Sequence, residues 1–523
     1  MNICFKRLGI AILISLTGFG YIPVAQAQRA YPSSDHPMQD TPTREIPHSG
    51  DRGSGSSIDL SSILLLINML SGSGNNNAQV DLSPEIADIR NNIARLQLLL
   101  ANQYLLQNQL IEACDAIEKS YTSEMEAYLR RRLPSASSPA SSDCHASDLQ
   151  RISQITGSRT ALIFPVILSD RIEVLVIPPS DRASTKGNKQ SKQGSDRPFR
   201  RTTYNISDKQ INAVIQKFYN DFQDFGSNDY LVGAQKLYDL IIRPIESDLE
   251  ASQIKTLVFV MPGGLRVVPT AAFHDGKQFL VEKYASVTVT TMPLTSMEQR
   301  DRSTNLSILA MGLSQSVQGL PAIPSTETEV EVITSKILKG SAFLNQDFTV
   351  DNLQSQRRDR AYQIVHLATH AEFNAAQASD AFIQFWNDRL KITQIDSLKL
   401  DQPQVEMLVL SACRTAVGAN LGISGVAIRS GAKSVLASLW SVSDVGTAPL
   451  MISFYSGFQA AASKAIALQN AQLSLIHKQV RVEKGKIKGV TRLADIPLSQ
   501  AGESVNLSHP YYWSPFILVG NWF

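Results

Sequence analysis

A histidine and a cysteine that each close an apolar run carry the chemistry of this 523-residue chain. His370 ends Gln363-Ile364-Val365-His366-Leu367-Ala368-Thr369-His370, and Cys413 ends Met407-Leu408-Val409-Leu410-Ser411-Ala412-Cys413. Short apolar runs of this kind read as strands buried on both faces of a parallel sheet. Both residues then emerge at the same sheet edge, where α/β proteins build their sites. A thiol facing an imidazole is the minimal kit for covalent acyl transfer, because the histidine takes or shares the thiol proton and the thiolate attacks a carbonyl. The 43-residue gap leaves room for one crossover, which makes the strands neighbours or nearly so.

Other chemistries fit less well. His366 and His370 have the spacing that binds zinc on a helix, but on a strand four residues cover about 13 Å, too far for one ion. His366 is therefore expected to pack within the strand, and no metal ligand set or cofactor motif is assigned. Gly276-Lys277-Gln278 lacks the loop glycine and hydroxyl residue of a phosphate-binding loop. Gly312-Leu313-Ser314-Gln315-Ser316 lacks the final glycine of a serine-nucleophile elbow.

The two segments resemble the catalytic segments of the CHAT domain, a bacterial caspase-like module often found beside TPR repeats: His366-Leu367-Ala368-Thr369-His370-Ala371-Glu372-Phe373 and Leu410-Ser411-Ala412-Cys413-Arg414-Thr415-Ala416. Ser411-Ala412-Cys413 is also similar to the caspase Gln-Ala-Cys, whose histidine lies about 50 residues upstream. Further matching segments run in order: 257–266, 274–277 with 280–284, Thr326-Glu327-Thr328-Glu329-Val330-Glu331, 431–440 and His509-Pro510-Tyr511-Tyr512-Trp513-Ser514-Pro515-Phe516. Together they span roughly 148–523. The resemblance implies a Cys413/His370 dyad and an oxyanion hole from the backbone N–H groups of Ala371 and Cys413.

Two positions depart from the family pattern. Arg414 stands where an acidic or amide residue is usual, which bears on substrate preference. Ala371 stands where caspase-type histidines are followed by glycine, and alanine supplies the same N–H unless that backbone needs positive φ. Asp444 follows Trp440-Ser441-Val442-Ser443 just past another apolar strand, on the same edge as the pair. Two roles stay open for it: lining a pocket that favours basic side chains before the scissile bond, or capping the helix that follows. Arg414 is placed beside it as a substrate-binding residue or as the partner that neutralises it.

Residues 1–27 read as a signal peptide, with Lys6 and Arg7 as a positive n-region, an apolar stretch from Leu8 to Ile22, and Ala25-Gln26-Ala27 as the cleavage site. The apolar stretch is short for a membrane span, so the mature chain is expected to have none and to be exported to the periplasm or beyond. The chain carries 49 Lys and Arg against 47 Asp and Glu, and cleavage removes two bases and no acid. A neutral mature chain gives no argument for nucleic acid or anionic membrane partners. Cleavage also removes Cys4. Cys114 and Cys144 then either pair in an oxidising compartment or remain a buried thiol and a free loop thiol.

The fold class expected is α/β, a caspase-like, mostly parallel sheet flanked by helices, with an N-terminal helical segment and a smaller α/β lobe. Residues 28–78 form a low-complexity spacer, within which 58–70 is an apolar patch suited to docking on the protein more than on a membrane surface. Residues 79–133 read as one or two amphipathic helices opened by Ser83-Pro84-Glu85, with Ser83 as the cap. This length is too short for a stack of 34-residue repeats. The helices offer contacts to protein partners. Residues 148–300 form the N-terminal lobe, with a hairpin around Ser169-Asp170 and a basic loop over 178–201. Residues 301–523 form the catalytic lobe, with strands predicted over 306–311, 363–368, 407–410 and 434–439 and a helix over 327–338. The function expected is a secreted cysteine endopeptidase acting on protein or peptide substrates. The alternative is a non-catalytic interaction module on the same fold.

Overall fold

The computed structural model describes residues 60–71, 82–131, 133, 142–180, 196–299, 306–372, 381–413, 422, 426, 429–440, 443–498 and 504–523. The signal segment, Arg414 and most of the basic loop lie outside the described residues, as does the side chain of Cys413.

The apolar patch forms α1 (Leu60–Ser71), which packs on α2 (Pro84–Leu106), and α2 pairs with α3 (Leu110–Leu129). Pro84 opens α2 as expected. The Ser83 hydroxyl, however, donates to the Glu85 carboxylate at 2.7 Å instead of capping the backbone. A charged carboxylate two residues away is a stronger partner for the hydroxyl than a backbone N–H. A bridge joins Cys114 of α3 to Cys144, with Cα atoms 6.2 Å apart. Next come α4 (Ala146–Thr156), then the hairpin β1 (Thr160–Ile167) and β2 (Arg171–Ile177), then β3 (Phe199–Tyr204).

The end of the predicted basic loop is thus a strand, beginning at Phe199. Its sequence Phe-Arg-Arg-Thr-Thr-Tyr gives no apolar alternation. It forms because Arg200 and Thr202 both bond Glu173, whose side chain is buried in β2, at 2.9 and 2.7 Å. A buried carboxylate demands such partners.

After α5 (Asp208–Phe222), α6 (Tyr230–Ile241) and α7 (Glu246–Ala251) come β4 (Thr256–Val260) and β5 (Ala285–Val289). Strand β6 (Ser307–Gly312) leads through α8 (Ser325–Val332) to β7 (Lys339–Leu344), and α9 (Val350–Asp359) leads to β8 (Ile364–Glu372). The predicted helix over 327–338 is therefore α8 plus a π turn at Ile333–Ile337. Then follow the short strands β9 (Phe382–Gln384) and β10 (Arg389–Lys391), β11 (Met407–Cys413), β12 (Ser434–Ser438), α10 (Asp444–Phe458) and α11 (Lys464–Ile476). The small strands β13 (Arg481–Glu483), β14 (Lys486–Lys488) and β15 (Ile496–Pro497) make a separate sheet, and α12 (Pro510–Trp513) precedes β16 (Phe516–Gly520).

Strands β1 to β12 and β16 form one mixed, mostly parallel sheet of 13 strands among the described residues. Strands β1, β4, β6 and β12 are buried almost residue for residue, the pattern of a sheet covered on both faces. Two parallel blocks meet in the middle. Block one is β7-β6-β8-β11-β12, and block two is β16-β5-β4-β1. They join where β12 and β16 pair antiparallel, so their C-terminal edges lie on opposite sides of the sheet.

Candidate active site

Block one brings the predicted pair together. Strands β8 and β11 are adjacent and parallel over seven positions, ending with Cys413 paired to His370. Neighbouring strands lie about 4.8 Å apart, so the backbones at 370 and 413 are as close as two strands allow. Residue 371 lies in extended strand, outside the positive-φ residues, so alanine there is unstrained. Its register partner is Ile383 of β9, which extends the sheet beyond the end of β6.

His370 is half-buried, and its Nε2 lies 2.9 Å from the carbonyl oxygen of Pro321. A carbonyl only accepts, so Nε2 carries the proton. In the neutral ring Nδ1 then holds the lone pair. The loop that supplies this carbonyl, between β6 and α8, is braced at several points. Asn345 Oδ1 accepts from the N–H groups of Ser314 and Gln315 at 2.9 and 3.1 Å. A tight turn pairs Val317 with Leu320, with Gly319 at φ 81°, a region that glycine enters freely. Gly312 opens the loop, and a Cβ there would lie 2.5 Å from the Ala368 carbonyl oxygen and 2.6 Å from Thr326 Cγ2. Only glycine lets α8 and β8 both approach the end of β6 so closely.

Asp444 is the first residue of α10, and Ser443 caps that helix without a side-chain bond. Asp444 Oδ2 accepts the N–H of Ser325, the first residue of α8, at 2.8 Å. The carboxylate thus satisfies a donor at another helix's N-terminus, where negative charge is favoured. Burial pushes its carboxyl pKa up, the Ser325 bonds pull it down, and the charge of Glu329 adds to the rise.

His366 is fully buried on the strand, as expected, with its ring nitrogens facing two other buried groups. Nδ1 lies 3.1 Å from the Tyr455 hydroxyl of α10, and Nε2 lies 3.0 Å from Glu329 Oε1 of α8, close but without the alignment of a hydrogen bond. Burial drives the Tyr455 pKa well above its ordinary value, and Glu329 adds to it. Neither the Pro321 carbonyl nor a role for Glu329 was readable in the sequence. The first is a backbone group, and the second stands in a family-like segment with no spacing that names a partner.

Among the described residues no group of three His, Cys, Asp or Glu side chains is arranged to hold a metal ion, and no helix is long and apolar enough to cross a membrane.

No curated protein matches the chain. Similar solved structures include separase of Saccharomyces cerevisiae in complex with securin, at 9% identity over 88% of this chain and 37% of that one, with a TM-score of 0.43. A second structure of the same complex gives 10%, 89%, 38% and 0.44. The chain thus spans little more than a third of the separase chains it matches. The Arg-specific cysteine proteinase gingipain R is similar at 9% identity over 60% of this chain and 73% of that one, with a TM-score of 0.33. The family model of the CHAT domain matches residues 232–521, more than half of the chain and all of block one, and the chain therefore belongs to the CHAT domain family.

Proposed function

We propose that the chain is a cysteine endopeptidase in which His370 and Cys413 form the dyad. The observation that carries this is the β8–β11 register, which pairs residue 370 with residue 413 at the C-terminal edge of block one. The Pro321 carbonyl on His370 Nε2 supports it, because a base whose far nitrogen is held by an acceptor presents its lone pair from the other. In the reaction, Nδ1 takes the thiol proton and the Cys413 sulfur attacks the scissile carbonyl carbon. The resulting oxyanion is met by backbone N–H groups at 371 and 413. The tetrahedral intermediate collapses, the C–N bond breaks, and the imidazolium returns its proton to the leaving amine. Water, deprotonated by the same ring, then hydrolyses the thioester and restores the thiol.

The enzyme is proposed to act outside the cytoplasm. The Cys114–Cys144 bridge supports that reading, since such bonds persist in oxidising compartments. An N-terminus at Gln28 on the native protein, read by mass spectrometry, is the expected result, and a cytoplasmic protein with intact Met1 would refute export.

The test of the dyad is labelling of the purified chain with an acyloxymethyl-ketone probe at neutral pH. Labelling should fall on Cys413 and disappear in Cys413→Ala and His370→Ala at an unchanged melting temperature. A folded wild-type chain that takes no label would turn the reading toward a non-catalytic interaction module.

A further inference from the structure

Three buried titratable groups lie beneath His370 and take no part in the proposed chemistry. His366, Glu329 and Tyr455 are each at most 3% exposed, so none of them reaches a substrate. They come from three elements that converge on the C-terminal edge of block one: β8, which carries His370, α8, and α10. His366 and His370 lie four residues apart on one strand and so share one face of the sheet. The face that packs against α8 and α10 below is therefore the face that carries the base above.

Helix α8 is the element that matters. It begins at Ser325, a few residues past Pro321, and Pro324 stands immediately before it, so two prolines with fixed φ link the carbonyl on His370 to the first turn of the helix. Where α8 sits decides where that carbonyl sits. Two contacts fix α8 at this end. Asp444 accepts the Ser325 N–H at 2.8 Å, and one turn on Glu329 meets His366 at 3.0 Å. Tyr455 closes the cluster from α10, so the same helix that carries Asp444 also holds His366 from its other nitrogen. Polar groups buried this deeply are costly to move out of each other's reach, so a helix whose Glu329 faces His366 has little freedom to slide.

We propose that Glu329, through the buried His366–Tyr455 pair, and Asp444, through Ser325, are positioning residues that hold the Pro321 carbonyl on His370 Nε2 and so fix the tautomer of the base. This rests on the dyad reading for its catalytic consequence, but the tautomer itself is measurable without activity. A carbonyl held at hydrogen-bond distance favours the ring form with the proton on Nε2. Released, the neutral ring divides between both forms, and the fraction able to accept the thiol proton from Nδ1 falls.

The experiment uses the full chain with ring-¹⁵N-labelled histidine. Wild type should show His370 with Nε2 protonated and Nδ1 as acceptor. In Glu329→Ala the two nitrogen shifts should move toward each other, and probe labelling of Cys413 should slow about tenfold, the scale at which mispositioned catalytic groups are felt. Glu329→Gln keeps an oxygen facing His366 and should restore the wild-type shifts and most of the rate. If Glu329→Ala does not fold, Tyr455→Phe removes only the hydroxyl and should move the same shifts in the same direction. Unchanged His370 shifts in a folded Glu329→Ala or Tyr455→Phe chain would overturn the proposal, whatever the melting temperature does. A wild-type His370 protonated on Nε2 beside a Cys413 that takes no label would instead sink the dyad and leave the positioning role standing.

Discussion

The two halves of the sheet are built alike and finished differently. Block one and block two are each parallel, and each has a C-terminal edge of the kind on which α/β proteins place sites. At the edge of block one His370 of β8 pairs with Cys413, the last residue of β11, and a braced loop lies against the His370 ring. At the opposite edge the ends of β1, β4 and β5 are covered by the N-terminal helices. Arg171, which opens β2 across the turn from β1, donates to Asn102 of α2 at 2.6 Å. Arg266, just past β4, is buried under the Tyr121 ring and bonds Glu124 of α3 at 2.7 Å. The N–H of Met292, just past β5, donates to Glu118 of α3 at 2.9 Å. The helices expected to offer contacts to protein partners are in this way also part of the second block's closure. Two blocks built alike thus differ in what their strand ends meet: three helix residues at block two, and a backbone carbonyl at block one.

The comparison is sharpened most by loosening the covered edge. Cys114→Ser with Cys144→Ser removes a bridge with a sequence separation of 30, which in the chain-entropy view costs about 3.5 kcal/mol. Denaturant unfolding should show that loss while probe labelling of the folded chain stays unchanged. Loss of labelling at full folding would mean that the covered edge also shapes the site.

A smaller effect is expected at the edge of block one. Asp444→Ala leaves the Ser325 N–H without its acceptor and should cost about 1–2 kcal/mol, with slower labelling. Asp444→Asn keeps an acceptor oxygen and relieves a carboxylate whose burial is unfavourable, so its stability should match or slightly exceed wild type. A changed preference for basic residues in a peptide-library profile of the asparagine variant would instead assign Asp444 to the substrate pocket.

The smallest effect is a pH dependence at the covered edge. Burial lowers the pKa of His145, but the hydrogen bond and charge of Glu118, with the charge of Asp148, outweigh this and raise it overall above the ordinary value of 6.5. A raised folded pKa means that the contribution is fully present below about pH 6.5 and is lost as pH climbs through the folded value. The melting-temperature gap between wild type and His145→Asn should therefore narrow above about pH 6.5. A gap that stays constant across that range would show that His145 works through packing alone. Labelling should be indifferent to this change, because the pair lies on the closed side.

The sequence by itself determined the strands of the site and their order. Met407 to Cys413 and Gln363 to His370 are apolar enough to be strands and little else; the gap between them makes them neighbours or nearly so, and the register places them side by side. Ser169-Asp170 marked the β1–β2 turn, and Pro84 marked the start of α2, because such local signals depend on the chain within a few residues of itself. The pairing of Cys114 with Cys144 was left open, since no spacing fixes how near two Cα atoms come. Strand β3 was missed for a related reason: Arg200 and Thr202 become strand residues only beside Glu173. Tertiary structure alone decided that Asp444 bonds Ser325 across 119 residues, that His366 meets Glu329 and Tyr455, and that a backbone carbonyl at Pro321 meets His370. These contacts join groups far apart in the chain, and one of them is a main-chain oxygen present in every residue. Side-chain type announces what chemistry a residue can do, but which partner it faces is set by how the elements pack.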